Sequence, residues 1–289
     1  MTRIVEPAPA KINLALHVRH RRADGYHELE TLFAFATEGD LITIEPSDID
    51  MFEIDGPQAH HLTPSPLQGR GPGRGGVIDD NLVTRAAKAF CQTFDVTQNY
   101  HIRLTKNLPV ASGIGGGSAD AAATLRALAR LNAVPLDHPS LHAIAATLGA
   151  DVPPCLTGRT ALGTGRGDDL VALEGLAGTP LLLVNPRVAV STAAVFAGWD
   201  GIDRGALPEG DLLARARAGR NDLEAPATCL APVIADVRAS LDAAPGAILS
   251  RMSGSGATCF ALFTDPAARD TAAEQATRQG WWTLATTMA

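Results

Sequence analysis

The chain has 289 residues, 46% hydrophobic and 19% charged, with 24 Lys and Arg against 31 Asp and Glu and a net charge of −7. That is enough apolar material for one large domain or two ordinary ones, and the acidic balance does not mark a nucleic-acid binder. No run of about 20 apolar residues spells a membrane span. MTRIVEPAPAKINLAL has no apolar stretch before Lys11, which speaks against a signal peptide. Cys91, Cys155, Cys229 and Cys259 are scattered, without metal or disulfide spacing, so a cytoplasmic protein with reduced thiols is expected.

Lys11–Val18 alternates: Ile12, Leu14, Leu16 and Val18 face one way, Lys11, Asn13 and His17 the other. This predicts a strand with one buried face. Lys11 and Asn13 share the polar face and could reach one ligand, although taken alone they read as solvated edge residues. Asp24-Gly25 predicts a turn, followed at once by Tyr26 and His27. That pair could stack on and hydrogen-bond a ring, or Tyr26 could anchor a hairpin. Glu28–Thr37 and Asp40–Glu45 predict two more strands.

Gly56–Gly76 is rich in Pro and Gly and lacks any apolar period, which predicts a mobile inserted loop. Its GRGPGRGG tail is a weak RNA-binding signal, and His60-His61 an incidental pair. Asn81–Phe94 is spaced as a helix, with Asp80 as its cap. Asn99–Lys106 alternates as a strand and leads to Leu108–Ala123, LPVASGIGGGSADAAA. Glycines ahead of an alanine-rich helix bring backbone N–H groups close to a ligand, and the helix start adds unpaired donors and partial positive charge. This is a cradle for an anion, usually phosphate.

Helices are expected over Ser118–Leu131 and His138–Leu148, the second ended by Gly149. Val152-Pro153-Pro154 then predicts an extended turn that stiffens Asp151, because prolines do not continue a helix. Asp151 alone reads as a cap more readily than as a catalytic group. Thr160–Gly167 is a glycine-bearing hairpin or linker. Strands are expected at Pro180–Asn185, Ala247–Ser250, Thr258–Phe263 and Trp281–Thr286, and helices at Asp211–Arg217, Leu223–Leu241 and Asp265–Gln279. The alternation predicts an α+β sandwich.

Three phosphate or nucleophile motifs fail by spelling. A P-loop needs a lysine after its glycines, and the only lysines are Lys11, Lys88 and Lys106. The dinucleotide fingerprint begun at Gly113 and Gly115 meets Ser118 where its last glycine belongs. The hydrolase elbow around Ser255 has Ser253 in place of glycine, so Ser255 is a poor nucleophile.

PVASGIGGGSA (Pro109–Ala119) resembles the phosphate loop of the GHMP kinases, and MSGSGA (Met252–Ala257) resembles that superfamily's C-terminal glycine motif. PAPAKINLAL, RRADGYHELETLF, GADVPPCL and NDLE resemble one branch of it, which phosphorylates the 2-hydroxyl of 4-diphosphocytidyl-2-C-methyl-D-erythritol in the non-mevalonate isoprenoid pathway. The resemblance covers Val5–Phe263, with Gly56–Gly76 as the departure. It implies a two-domain α+β GHMP fold, residues 1–160 and 161–289, with the active site in the cleft between them.

The resemblance also implies roles. Asp151 would be the base and Lys11 its charge partner. Pro109, Val110, Ala111, Ser112, Gly113, Ile114, Gly115, Gly116, Gly117, Ser118 and Ala119 would hold the ATP phosphates, with Mg2+ carried mainly by the nucleotide and no dedicated metal site. Asn81 and Lys106 would lie near adenine. Tyr26 and Phe196 would sandwich cytosine, His27 would read its edge, and Asn13 and Thr192 would add polar contacts. The partner is a small molecule with a cytidine diphosphate group, with no nucleic acid and no membrane, and the protein is a monomer or homodimer. Two alternatives stay open: another small-molecule GHMP kinase, or a non-catalytic nucleotide-binding or RNA-associated protein.

Overall fold

The computed structural model describes residues 3–62 and 81–289, with the backbone alone at His61. The chain forms two compact units. The first comprises Met1–Pro9, Gly39–Val110 and Gly116–Thr157; the second, Ala10–Glu38, Ala111–Gly115 and Gly158–Ala289. A single cut at residue 160 therefore does not describe them: the later unit also takes two earlier segments, one of them the front of the glycine loop.

Two long strands, β1 (Ile4–Arg21) and β2 (His27–Ser47), pair with each other and run through both units. β2 replaces the two separate strands expected over Glu28–Glu45. Gly39 does not turn the chain; a Cβ there would lie 2.0 Å from the Ala8 carbonyl oxygen, so the residue serves a close approach of β1.

In the first unit the Leu41–Ser47 part of β2 pairs antiparallel with β4 (Asn99–Thr105). β4 in turn pairs parallel with β3 (Met51–Asp55), a strand the sequence pattern did not announce. The helices are α1 (Leu82–Thr93), α2 (Gly116–Leu131), α3 (Pro139–Leu148) and α4 (Val152–Thr157). Asn81 caps α1, its side-chain oxygen accepting from the Val83 N–H at 2.8 Å; the expected cap, Asp80, lies outside the described residues, as does the inserted loop beyond Leu62. Alanines make α2 thin, so that it packs on α1, α3 and α4 with Ala119, Ala121, Ala122 and Ala123 buried. Gly149 leaves α3 in an extended conformation rather than a left-handed one. The Pro153-Pro154 pair lies in the first turn of α4 instead of an extended turn, where a missing N–H costs nothing.

In the second unit, Thr31–Phe33 of β2 pairs with β5 (Ala161–Thr164), which forms a hairpin with β6 (Asp169–Ala172). A four-stranded antiparallel sheet follows, in the order β10 (Trp282–Thr287), β7 (Pro180–Asn185), β9 (Cys259–Phe263), β8 (Ala247–Met252). Between these strands lie α5 (Thr192–Ala197), α6 (Leu212–Ala218), α7 (Glu224–Leu230), α8 (Val233–Asp242) and α9 (Pro266–Arg278). The helix expected over Leu223–Leu241 is two helices, divided at Ala231-Pro232. Leu16, Val18, Leu182, Val184, Val237 and Phe263 belong to this unit's core, with α8 and α9 packed on the sheet.

The polar face of β1 is not solvated. Lys11 and Asn13 are each 2% exposed and His17 1%. Alternation marks two faces correctly but does not say that both will be covered.

Candidate active site

The glycine stretch is shared along the chain by the two units. Pro109 is buried and Val110 half-buried in the first unit; Ala111 to Gly115 belong to the second. There the loop is fastened by its carbonyls: Ser112 accepts from the Thr258 N–H at 3.1 Å, and Ile114 from the Lys11 N–H at 3.0 Å. The Gly113 carbonyl accepts the Ser253 hydroxyl at 3.0 Å, and that hydroxyl accepts the Asn13 N–H at 3.1 Å. Gly113 has φ +75°, and a Cβ on it would stand 2.5 Å from the Ser253 carbonyl oxygen. Gly254 has φ +55°, and a Cβ there would stand 2.8 Å from the Gly113 oxygen. Both close approach and left-handed backbone demand glycine at these two positions.

Asn221 shapes the same junction from below. Its amide donates to the carbonyls of Met252 and Gly254, each at 2.8 Å. Arg251 donates to the carbonyls of Leu14, Ala216 (2.6 Å) and Gly219 (2.7 Å), and burial brings its guanidinium down to about 10. Sequence reasoning missed Ser253, Asn221 and Arg251 as supports. NDLE and MSGSGA flagged the segments, but not what their side chains hold.

Lys11 Nζ donates to Asn13 Oδ1 at 3.0 Å and lies 5.3 Å from the centre of the Phe33 ring. The Asn13 amide nitrogen donates to Thr31 Oγ1 at 2.8 Å, and that hydroxyl donates to the Ala15 carbonyl at 2.8 Å. This chain fixes which way the Asn13 amide faces, and so where the ammonium sits. The same unit gathers the aromatic residues. His27 stacks on Phe196, centroids 4.9 Å apart and planes at 28°, and meets Trp199 edge-on at 5.6 Å. Burial, then Arg21, lowers the His27 pKa, which favours a neutral ring with one donor and one acceptor nitrogen. Tyr26 is 55% exposed, with the Arg166 guanidinium 5.2 Å from its ring centre. The ring stacked on Phe196 is that of His27. Thr192 Oγ1 lies 2.8 Å from Ser255 Oγ.

In the first unit, α2 begins at Gly116 with Gly117, Ser118 and Ala119 in its first turn, where backbone N–H groups lack intrahelical partners. The start of α1 lies beside it: a Cβ on Gly117 would be 3.4 Å from Leu82 Cδ1, and Asn81 precedes that leucine. Asp151 is half-buried, and its carbonyl accepts from the Cys155 N–H in the first turn of α4. Lys106 precedes the glycine loop. It is 2% exposed, with its ammonium held between the carboxylates of Asp40 and Asp120. Among the described residues, no group of three or more His, Cys, Asp or Glu is placed to hold a metal ion, and no helix is long and apolar enough to cross a membrane.

Residues 81–159 match the model of the GHMP kinases N terminal domain, and residues 204–280 that of the GHMP kinases C terminal. The chain belongs to the GHMP kinases, so it is an enzyme with ATP as its phosphoryl donor. It is 56% identical over 284 residues to the 4-diphosphocytidyl-2-C-methyl-D-erythritol kinase of Rhizorhabdus wittichii, covering 96% of this chain and 92% of the relative. A crystal structure of 4-(cytidine 5'-diphospho)-2C-methyl-D-erythritol kinase matches with a TM-score of 0.77 and 34% identity over 99% of each chain. The homoserine kinase of Cytophaga hutchinsonii matches at a TM-score of 0.70 and 20% identity, over 100% of this chain and 95% of that one, a likeness of fold alone. Within the GHMP kinases the chain falls with the 4-diphosphocytidyl-2-C-methyl-D-erythritol kinases.

Proposed function

We propose that the protein moves the γ-phosphoryl group of ATP to the 2-hydroxyl of 4-diphosphocytidyl-2-C-methyl-D-erythritol, a step of the non-mevalonate isoprenoid pathway. The observation that carries this reading is the backbone-built glycine junction bonded directly to Lys11, on a chain 56% identical to a kinase of that name.

In this reading the ATP phosphates take the N–H groups from Ala111 to Ala119, helped by Ser118 and by the partial charge at the start of α2. Asn81, beside that start, faces adenine. Asp151 accepts the proton of the substrate hydroxyl as its oxygen takes the phosphoryl group. Lys11, oriented by Asn13, offsets negative charge on the transferred group. His27 and Phe196 hold the cytosine, Tyr26 adds its exposed ring, and Thr192 adds a hydroxyl. Mg2+ arriving with ATP would offset triphosphate charge, bound mainly by the phosphate oxygens.

The test is a coupled assay of ADP release across the cytidyl alcohol, homoserine, mevalonate and galactose. Turnover confined to the cytidyl alcohol is expected; turnover of another alcohol without it would overturn the substrate assignment. For Asp151→Asn, kcat should fall roughly 10²–10⁴-fold with ATP affinity little changed. Near-normal turnover would remove Asp151 from the base role.

A further inference from the structure

Lys106 follows β4 directly, Asp40 lies in β2 and Asp120 in the second turn of α2. Their side chains are 3%, 0% and 3% exposed. Lys106 Nζ is 2.9 Å from Asp120 Oδ2 and also bonds Asp40 Oδ2. The other Asp40 oxygen accepts the N–H groups of Asn107 and Leu108, the segment entering the glycine loop, the second at 2.8 Å. The ammonium also underlies the helix start: a Cβ on Gly116 would be 3.0 Å from Nζ and 3.7 Å from Asp40 Oδ2. One buried cluster thus fixes both the entry to the loop and the first residue of the helix behind it.

Its charges do not balance. Two carboxylates face one ammonium, and among the described residues Asp120 Oδ1 is buried with no hydrogen-bond partner. An ionised carboxylate placed so has Lys106 as donor to Oδ2 but no donor for the charge on Oδ1. A surplus negative charge there would also oppose a triphosphate at the start of α2. We propose that Asp40, Lys106 and Asp120 form a positioning cluster for the phosphate loop, and that Asp120 must hold a proton when ATP binds. Burial pushes the Asp120 carboxyl up to about 8, countered by Lys106 and reinforced by Asp40. Of the elements packed on α2, α1 carries Arg85 and Lys88, both exposed, α3 carries His142, half-buried, and α4 carries Cys155 with Asp151 before it. Arg126 and Arg130 of α2 itself pair with Glu6.

The inference rests on the placement of ATP proposed above, and the experiment separates the two. ATP affinity is measured by calorimetry on the whole protein from pH 6.5 to 9 with excess Mg2+, for the wild type and Asp120→Asn. The wild type should weaken about tenfold across the range, because an anion that favours the protonated carboxyl loses affinity as the proton leaves. Asp120→Asn keeps an acceptor for Lys106 but has no proton to lose. It should match the wild type near pH 7 to within about twofold and stay flat to pH 9. In kinetics the change should enter KM for ATP and leave KM for the cytidyl alcohol alone, a split that general loss of stability would not produce. A wild-type affinity flat with pH, or a slope kept in Asp120→Asn, overturns the role of the proton. Failure of both proteins to bind ATP at any pH overturns the nucleotide placement and this inference with it. Lys106→Met should raise KM for ATP at pH 7; if it does not fold, the paired pH series still decides.

Discussion

The glycine junction and the aromatic turn lie in the same unit and are built in opposite ways. At the junction, backbone meets backbone. Gly113 and Gly254 touch with no room for a Cβ, and hydrogen bonds to carbonyl oxygens set the shape. At the turn, side chains make the contacts: His27 on Phe196, Trp199 against His27, Arg166 over Tyr26. A backbone cradle presents donors that any phosphate can use. A ring platform discriminates among the groups attached to it. The junction should therefore fail as a whole when disturbed, and the turn should fail in substrate choice alone.

Gly113→Ala should break the comparison hardest. The new Cβ would enter both a left-handed backbone and the Ser253 carbonyl, so destabilisation of about 3 kcal/mol is expected in urea titrations, with activity lost. A variant within about 0.5 kcal/mol of the wild type would show that the junction yields easily. Phe196→Ala should instead raise KM for the cytidyl alcohol roughly tenfold, about 1.4 kcal/mol, leaving KM for ATP unchanged. Equal changes in both would erase the distinction between the regions.

Ser253→Ala tests whether one hydroxyl links loop and strand. It removes the acceptor of the Asn13 N–H and the donor to Gly113, for a cost of about 1 kcal/mol. An unchanged melting curve would mean the backbone contacts suffice. The smallest effect concerns pH. Burial and Arg21 hold the His27 pKa below its ordinary 6.5, so the unfolded chain takes its proton first as pH falls. The stability tied to the neutral ring should be complete above pH 6.5 and decline below it, with KM for the cytidyl alcohol rising over the same range. His27→Gln should flatten both; persistence of both slopes would assign them to another group.

Much of this was legible in the sequence for local reasons. The Asp24-Gly25 turn, the alternation of β4 and the helix starts at Asp211 and Asp265 are set by neighbours within a few residues. The glycine loop was legible because a row of residues without Cβ atoms has few other uses. What escaped depends on distant partners. Lys11 and Asn13 read as solvated because their cover, Thr31 and Ser253, comes from elsewhere in the chain. The charge of Lys106 is claimed by Asp40, 66 residues earlier. Pro153-Pro154 misled for a subtler reason: the prohibition on proline applies inside a helix and lapses in its first turn.

Ser253 and Thr258 lie more than a hundred residues beyond the loop whose carbonyls they bind. On the ribosome, the stretch Ala111–Gly115 emerges long before either partner exists. Until they do, the Ser112 and Gly113 carbonyls have none of these bonds. A nascent chain stalled short of β8 would carry the full glycine spelling and lack the bonds from Ser253 and Thr258 that give it shape.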